Sequence, residues 1–125
     1  MDAIASKPRF NRAYALLTAL LVVAIVAETI AHGFVWQLPV FAVAPDFALL
    51  LGIAPGPEKG RLHPRAVPVY NLVHRFWGPV ALAALAVGLD LGAAWVIAAL
   101  AWGAHVALDR TVGYGLRTPD GFQRG

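Results

Sequence analysis

Nine of the ten lysines and arginines fall in three short segments, three each in 7–12, 59–65 and 110–124, and the stretches between are long and almost uncharged. No motif in the chain constrains its fold as much as this map does. Moving Lys or Arg across a bilayer is costly, so basic connections stay on the cytoplasmic side and alternate with charge-poor ones. Here every second connection is basic, the pattern of a polytopic membrane protein with both termini inside. Composition agrees, with 59% of residues apolar and 14% charged, against about 25% charged in ordinary soluble domains. So few charges cannot cover a soluble surface. At 125 residues the chain makes one domain, and without cysteine it has neither disulfides nor thiolate metal sites. The net charge of +3 sits mainly in the flanks, which suits anionic lipid headgroups and gives no reason to invoke nucleic acid.

Four apolar segments follow, at about 13–36, 39–54, 66–88 and 91–112, between a basic cytoplasmic N-terminus (1–12) and a cytoplasmic tail (113–125). The first is long enough to span. A basic start before an apolar run also resembles a signal peptide, but the segment is expected to be retained. In the second, Pro45 and Asp46 interrupt the run, so a regular helix is expected to begin near Pro45 rather than cross it. A broken segment survives at membrane depth only where other helices cover its freed carbonyls. Pro68 falls in the first turn of the third segment, whereas Pro79 lies inside and is expected to kink it. A tight turn near Asp90 joins the third and fourth segments. The expected fold is therefore all-α, a four-helix transmembrane bundle with a short, Pro-broken second helix and both termini in the cytoplasm.

Ionisable groups are expensive in hydrocarbon, so those that persist are expected to face a partner, a cavity or a functional site. Glu28 and His32, Asn71 and His74, and His105 and Asp109 are each three or four residues apart and so share a helical face. His74 precedes Gly88 by 14 residues and His105 follows Leu91 by 14. At about 1.5 Å per residue, both lie roughly 21 Å from the outer end of their helices. Two imidazoles at one depth on neighbouring antiparallel helices can meet. The expected polar cluster is Glu28, His32, Asp46, Asn71, His74, His105 and Asp109, with Tyr70 and Trp102 placed to cover it. Trp36, Trp77, Trp95 and Tyr14 are expected to anchor at the interface.

Within that cluster His74, His105, Asp46 and Asp109 suit zinc or a similar divalent ion, which would activate water if one coordination position stayed open. The enzyme reading is then metal-assisted hydrolysis of a lipid-linked or amphipathic substrate. Non-enzymatic readings stand beside it. The same residues can form a hydrogen-bonded network that fixes helix register, or line a proton or small-solute path in a homo-oligomer. The chain can also be an accessory or structural subunit of a larger membrane complex, a setting in which its imidazoles could ligate haem or a pigment.

The order Pro45-Asp46-Phe47 with Gly52, then Tyr70-Asn71-Leu72-Val73-His74 with Pro79, then His105-Val106-Ala107-Leu108-Asp109-Arg110, Gly113-Tyr114-Gly115-Leu116 and Gly121-Phe122, resembles the domain of unknown function 4260 family of small bacterial integral membrane proteins. It extends from Glu28 to Phe122. The resemblance implies a multi-pass protein of the bacterial cytoplasmic (inner) membrane and carries no established activity. Family members often follow the Gly-Phe pair with Thr-His, whereas this chain ends Gln123-Arg124-Gly125.

Overall fold

The computed structural model describes residues 9–47, 64–117 and 119. Among them are five α-helices and no extended sheet: α1 (Arg12–His32), α2 (Gln37–Val43), α3 (Val67–Val73), α4 (Trp77–Gly88) and α5 (Ala93–Thr111). The all-α expectation holds. Residues 48–54 of the expected second segment, the connection through 63 and most of the tail after 117 lie outside the described residues.

Helix α5 is the axis on which α1, α2 and α4 pack. Its inward stripe is made of small and branched side chains, with Ile97, Ala98, Ala101, Val106 and Ala107 all buried. Alanines allow close backbone approach, which brings the helices into van der Waals contact along their length. Partner pairs fix the directions. Asn11 N–H donates to Thr111 O at 2.7 Å, and the hydroxyls of Thr18 and Thr111 lie 3.1 Å apart, so α1 starts where α5 ends. Trp36 packs edge-on to Trp95, while Phe41 lies against Trp95 and Trp102, so α2 runs alongside α5 in the same sense.

Local chemistry sets the helix ends. Asn11 caps α1 by accepting from Tyr14 N–H at 3.1 Å, and Gly33, at φ 85°, ends it in a conformation that a side chain would strain. Pro39, Pro68 and Pro79 each fall within the first three residues of their helix, where the missing N–H has no intrahelical partner to lose. One expectation is corrected here. The third segment is not one kinked helix; it breaks into α3 and α4 at 74–76, upstream of Pro79, which thereby occupies a first turn instead of an interior. Around Pro45, α2 precedes the proline and the chain tightens into a 3-10 turn over 44–47 that carries Asp46, and the rest of the helix expected from Pro45 lies outside the described residues. The turn near Asp90 forms as expected, with Asp90 at φ 51° and Leu91 N–H returning to Ala86 O at 2.9 Å.

Only α1 among the described helices is long and apolar enough to cross a membrane alone, with a mean hydropathy of 2.2 and none of its window buried. Leu16, Leu20, Val23 and Ile30 on α1, and Val80 and Val87 on α4, stand exposed.

Close helix contact centres on Gly78, which faces Trp102. A methyl group on Gly78 would fall 2.2 Å from the Trp102 ring, whereas one on Gly88 would meet nothing within 4 Å. Gly78→Ala is therefore expected to destabilise the fold by about 1–3 kcal/mol through overpacking, with Gly88→Ala at or above wild type. Thermal unfolding reads both; equal melting temperatures for the two variants would contradict this packing.

Candidate metal centre

The break at 74–76 frees backbone carbonyls that α3 can no longer use, and side chains of α5 take them. Trp102 Nε1–H donates to Val73 O at 2.8 Å, and Arg110 Nη2–H donates to His74 O at 3.3 Å. At the end of α2, His105 Nδ1–H donates to Ala42 O at 2.6 Å. Trp102, His105 and Asp109 recur at i, i+3 and i+7, a single stripe on α5. That stripe ties the C-terminal ends of α2 and α3 together. His74 caps α3, its ring stacked on Tyr70 with centroids 3.9 Å apart, and its Nδ1–H donates to Tyr70 O at 2.8 Å.

Both histidines thus spend Nδ1–H on a carbonyl oxygen, which can only accept. In each neutral ring the proton then sits on Nδ1, leaving a lone pair on Nε2. Both Nε2 atoms are directed at the same two carboxylates. His74 Nε2 lies 3.3 Å from Asp46 Oδ1 and 3.3 Å from Asp109 Oδ2. His105 Nε2 lies 3.2 Å from Asp46 Oδ1 and 3.4 Å from Asp109 Oδ2. One donor atom from each residue lies within 4.8 Å of every other. With both rings neutral, one lone-pair atom from each of the four residues faces the others.

Such a ring repels itself unless something positive fills it. One filling is a proton on each Nε2, each shared between two carboxylates at 3.2–3.4 Å, longer than the ~2.7–2.9 Å of good charge-assisted bonds. The other is a cation. Zinc bonds of about 2.0–2.1 Å, arranged tetrahedrally, give ligand-to-ligand edges of about 3.3–3.4 Å. The four nitrogen-to-oxygen distances match four of the six edges of such a tetrahedron, and the remaining two separations are within 4.8 Å. Two carboxylates and two neutral imidazoles also sum to the charge that a divalent ion cancels. The Nδ1–H bonds to backbone carbonyls are the usual outer partners of metal-ligating histidines, fixing tautomer and ring orientation.

Access is one-sided. The His74, His105 and Asp109 side chains are 3%, 10% and 25% exposed, and Asp46 is 51% exposed. An apolar cavity of about 140 Å³ is lined by Phe41, Ala44, Pro45, Val73 and Trp102, among them the chain neighbours of Asp46 and His74.

The structure brings together Asp46, His74, His105 and Asp109, and leaves three other expected members apart. Glu28 and His32 pair with each other at 3.4 Å along α1. Asn71 is occupied elsewhere: its amide donates to Arg117 O at 2.9 Å and accepts Arg117 N–H at 2.7 Å. Sharing a face with His74 did not make it a cluster member, because a passing backbone satisfies both of its polar atoms. Sequence reasoning left Arg110 outside the cluster and gave Trp102 only a covering role, whereas both close the carbonyls of the break. The i, i+3, i+7 spacing was the signal for Trp102; nothing comparable marks Arg110.

The family model described as Domain of unknown function (DUF4260) matches residues 11–125. The chain belongs to the DUF4260 family. No curated protein and no solved structure matches it. All four residues of the candidate centre fall within the DUF4260 match, as do the break that presents His74 and the whole of α5.

The Asn71 clasp makes its own prediction. Removing its two hydrogen bonds in Asn71→Ala is expected to cost about 1–3 kcal/mol and to speed amide exchange at Arg117. Metal content should not change. Unaltered exchange at Arg117 would show that Asn71 does not hold the segment.

Proposed function

We propose that this protein is a multi-pass protein of the bacterial cytoplasmic membrane, with both termini in the cytoplasm, whose function centres on one divalent metal ion held by Asp46, His74, His105 and Asp109. The observation that carries the reading is the convergence of four lone-pair atoms at 3.2–3.4 Å, with both imidazole Nδ1–H groups committed elsewhere. Two nitrogen and two oxygen ligands without sulfur favour zinc or a comparable first-row ion over copper(I), which prefers sulfur.

The membrane setting is supported by α1 and by the exposed apolar face of α4. Monomeric soluble proteins rarely present contiguous apolar surface on this scale. The broken segments fit the same setting: α2 and the α3–α4 pair leave their irregular backbone covered by α5, as a bilayer interior requires. Basic residues clustered where α1 begins and α5 ends, including Arg12 and Arg110, favour that end as cytoplasmic.

Unequal burial of the ligands favours a reactive site over a purely structural one. Asp46, carried on a 3-10 turn and half exposed, is the ligand that can yield a coordination position to water, while the other three hold the ion. A metal ion there would lower the pKa of bound water to about 7, and Asp46 is placed to accept the proton. The neighbouring apolar cavity favours an amphipathic substrate, its apolar part beside Trp102 and its polar bond near the ion. Metal-assisted hydrolysis of a lipid-like molecule is the activity that best combines these features.

Elemental analysis of the full chain purified in mild detergent is expected to give about one zinc-like ion per chain. Chelation should lower the melting temperature, since a ligand at 100 times its Kd stabilises by about 2.7 kcal/mol. His105→Ala and Asp109→Ala are expected to lose the ion, while Asp46→Asn keeps it with weakened affinity. A protein that contains no metal, takes up none from added zinc and does not respond to chelator would leave the two-proton network as the occupant of the site.

A further inference from the structure

The break that presents His74 also presents Arg75, which the metal centre does not use. Arg75 is exposed and borders an open cavity of about 470 Å³, whose other lining residues are Phe76, Trp77, Val80, Arg110 and Leu116. Two arginines therefore line one space. Among the described residues, no carboxylate lies within ion-pair distance of either.

Arg110 is held in place from several sides. Its Nη2–H donates to His74 O at 3.3 Å, and its guanidinium carbon lies 6.0 Å from the Tyr14 ring centroid and 5.8 Å from that of Phe76. Those two rings are themselves stacked, 4° from parallel. One donor is thus used on the backbone, and arginine has five. The same cavity carries exposed apolar side chains, Trp77 at 77% and Val80 at 58%. Charged and apolar groups on one surface make an amphipathic receptacle.

We propose that this cavity binds the phosphate of an anionic membrane phospholipid, with the acyl chains lying along Trp77 and Val80. Guanidinium matches phosphate oxygens in a bidentate fashion, basic pockets between membrane helices are suited to lipid headgroups, and tryptophan favours headgroup depth. Free phosphate offers the arginines the same oxygens but nothing to cover the exposed apolar side chains. The site does not rest on the metal reading, since no ligand of the metal centre lines it.

The test uses the full chain in mild detergent, titrated with short-chain phosphatidylglycerol, short-chain phosphatidylcholine and inorganic phosphate, with Trp fluorescence as the readout. Phosphatidylglycerol is expected to bind saturably and at least about tenfold tighter than phosphatidylcholine, and inorganic phosphate at matching concentration should not displace it. Arg75→Gln is expected to lose about tenfold in affinity with an unchanged melting temperature. Arg12→Gln, which removes the same net charge at a residue that does not line the cavity, should lose less than twofold. Equal losses in the two variants would reduce the effect to general attraction for anions and overturn the proposal. So would displacement of the lipid by inorganic phosphate, or full affinity in Arg75→Gln.

Discussion

A helix interrupted inside an apolar bundle must hand its freed carbonyls to other donors, and here α5 receives them. Buried unpaired carbonyls are costly, so the break between α3 and α4 can exist only because Trp102 and Arg110 meet Val73 O and His74 O. The same helix closes α2 through His105 and Ala42 O. These bonds determine more than stability. By committing Nδ1–H of His105 to Ala42, and that of His74 to Tyr70, the backbone dictates which ring nitrogen is left with a lone pair.

From that constraint the site follows. His74 and His105 present Nε2 to Asp46 and Asp109 in an alternating ring of nitrogen and oxygen, with all four contacts between 3.2 and 3.4 Å. Helices α2 and α3 both end beside this ring, and the partial negative charge of helix C-termini adds to the preference for a cation. Tyr70 stacks on His74 from one side, and the Arg117 guanidinium carbon lies 4.9 Å from the Tyr70 ring centroid on the segment that Asn71 clasps. The inner ligands are thus rigidly backed, while Asp46 sits on a short turn open to the outside.

Much of this was legible in the residues. The four candidate ligands could be named because ionisable groups within apolar segments demand a partner, and equal distances from the Asp90 turn put His74 and His105 at one level. What periodicity could not supply was direction. Asn71 shares a face with His74, yet its amide is taken by the Arg117 backbone, a contact 46 residues away that no local pattern encodes. Glu28 and His32 satisfy each other on α1, so their presence in an apolar helix did not require the cluster. The position of the break was misjudged because Pro79 is the visible helix breaker. Yet proline is harmless in a first turn, and the chain interrupts itself three residues earlier, where α5 offers donors.

X-ray absorption at the zinc edge of the zinc-loaded full chain tests the central claim most directly. A first shell of four nitrogen and oxygen atoms at about 2.0–2.1 Å, with the outer-shell scattering of two imidazoles and its loss in His74→Ala, is the predicted result. A shell of oxygens alone with no imidazole signature, identical in wild type and His74→Ala, would show that the four residues do not hold the ion.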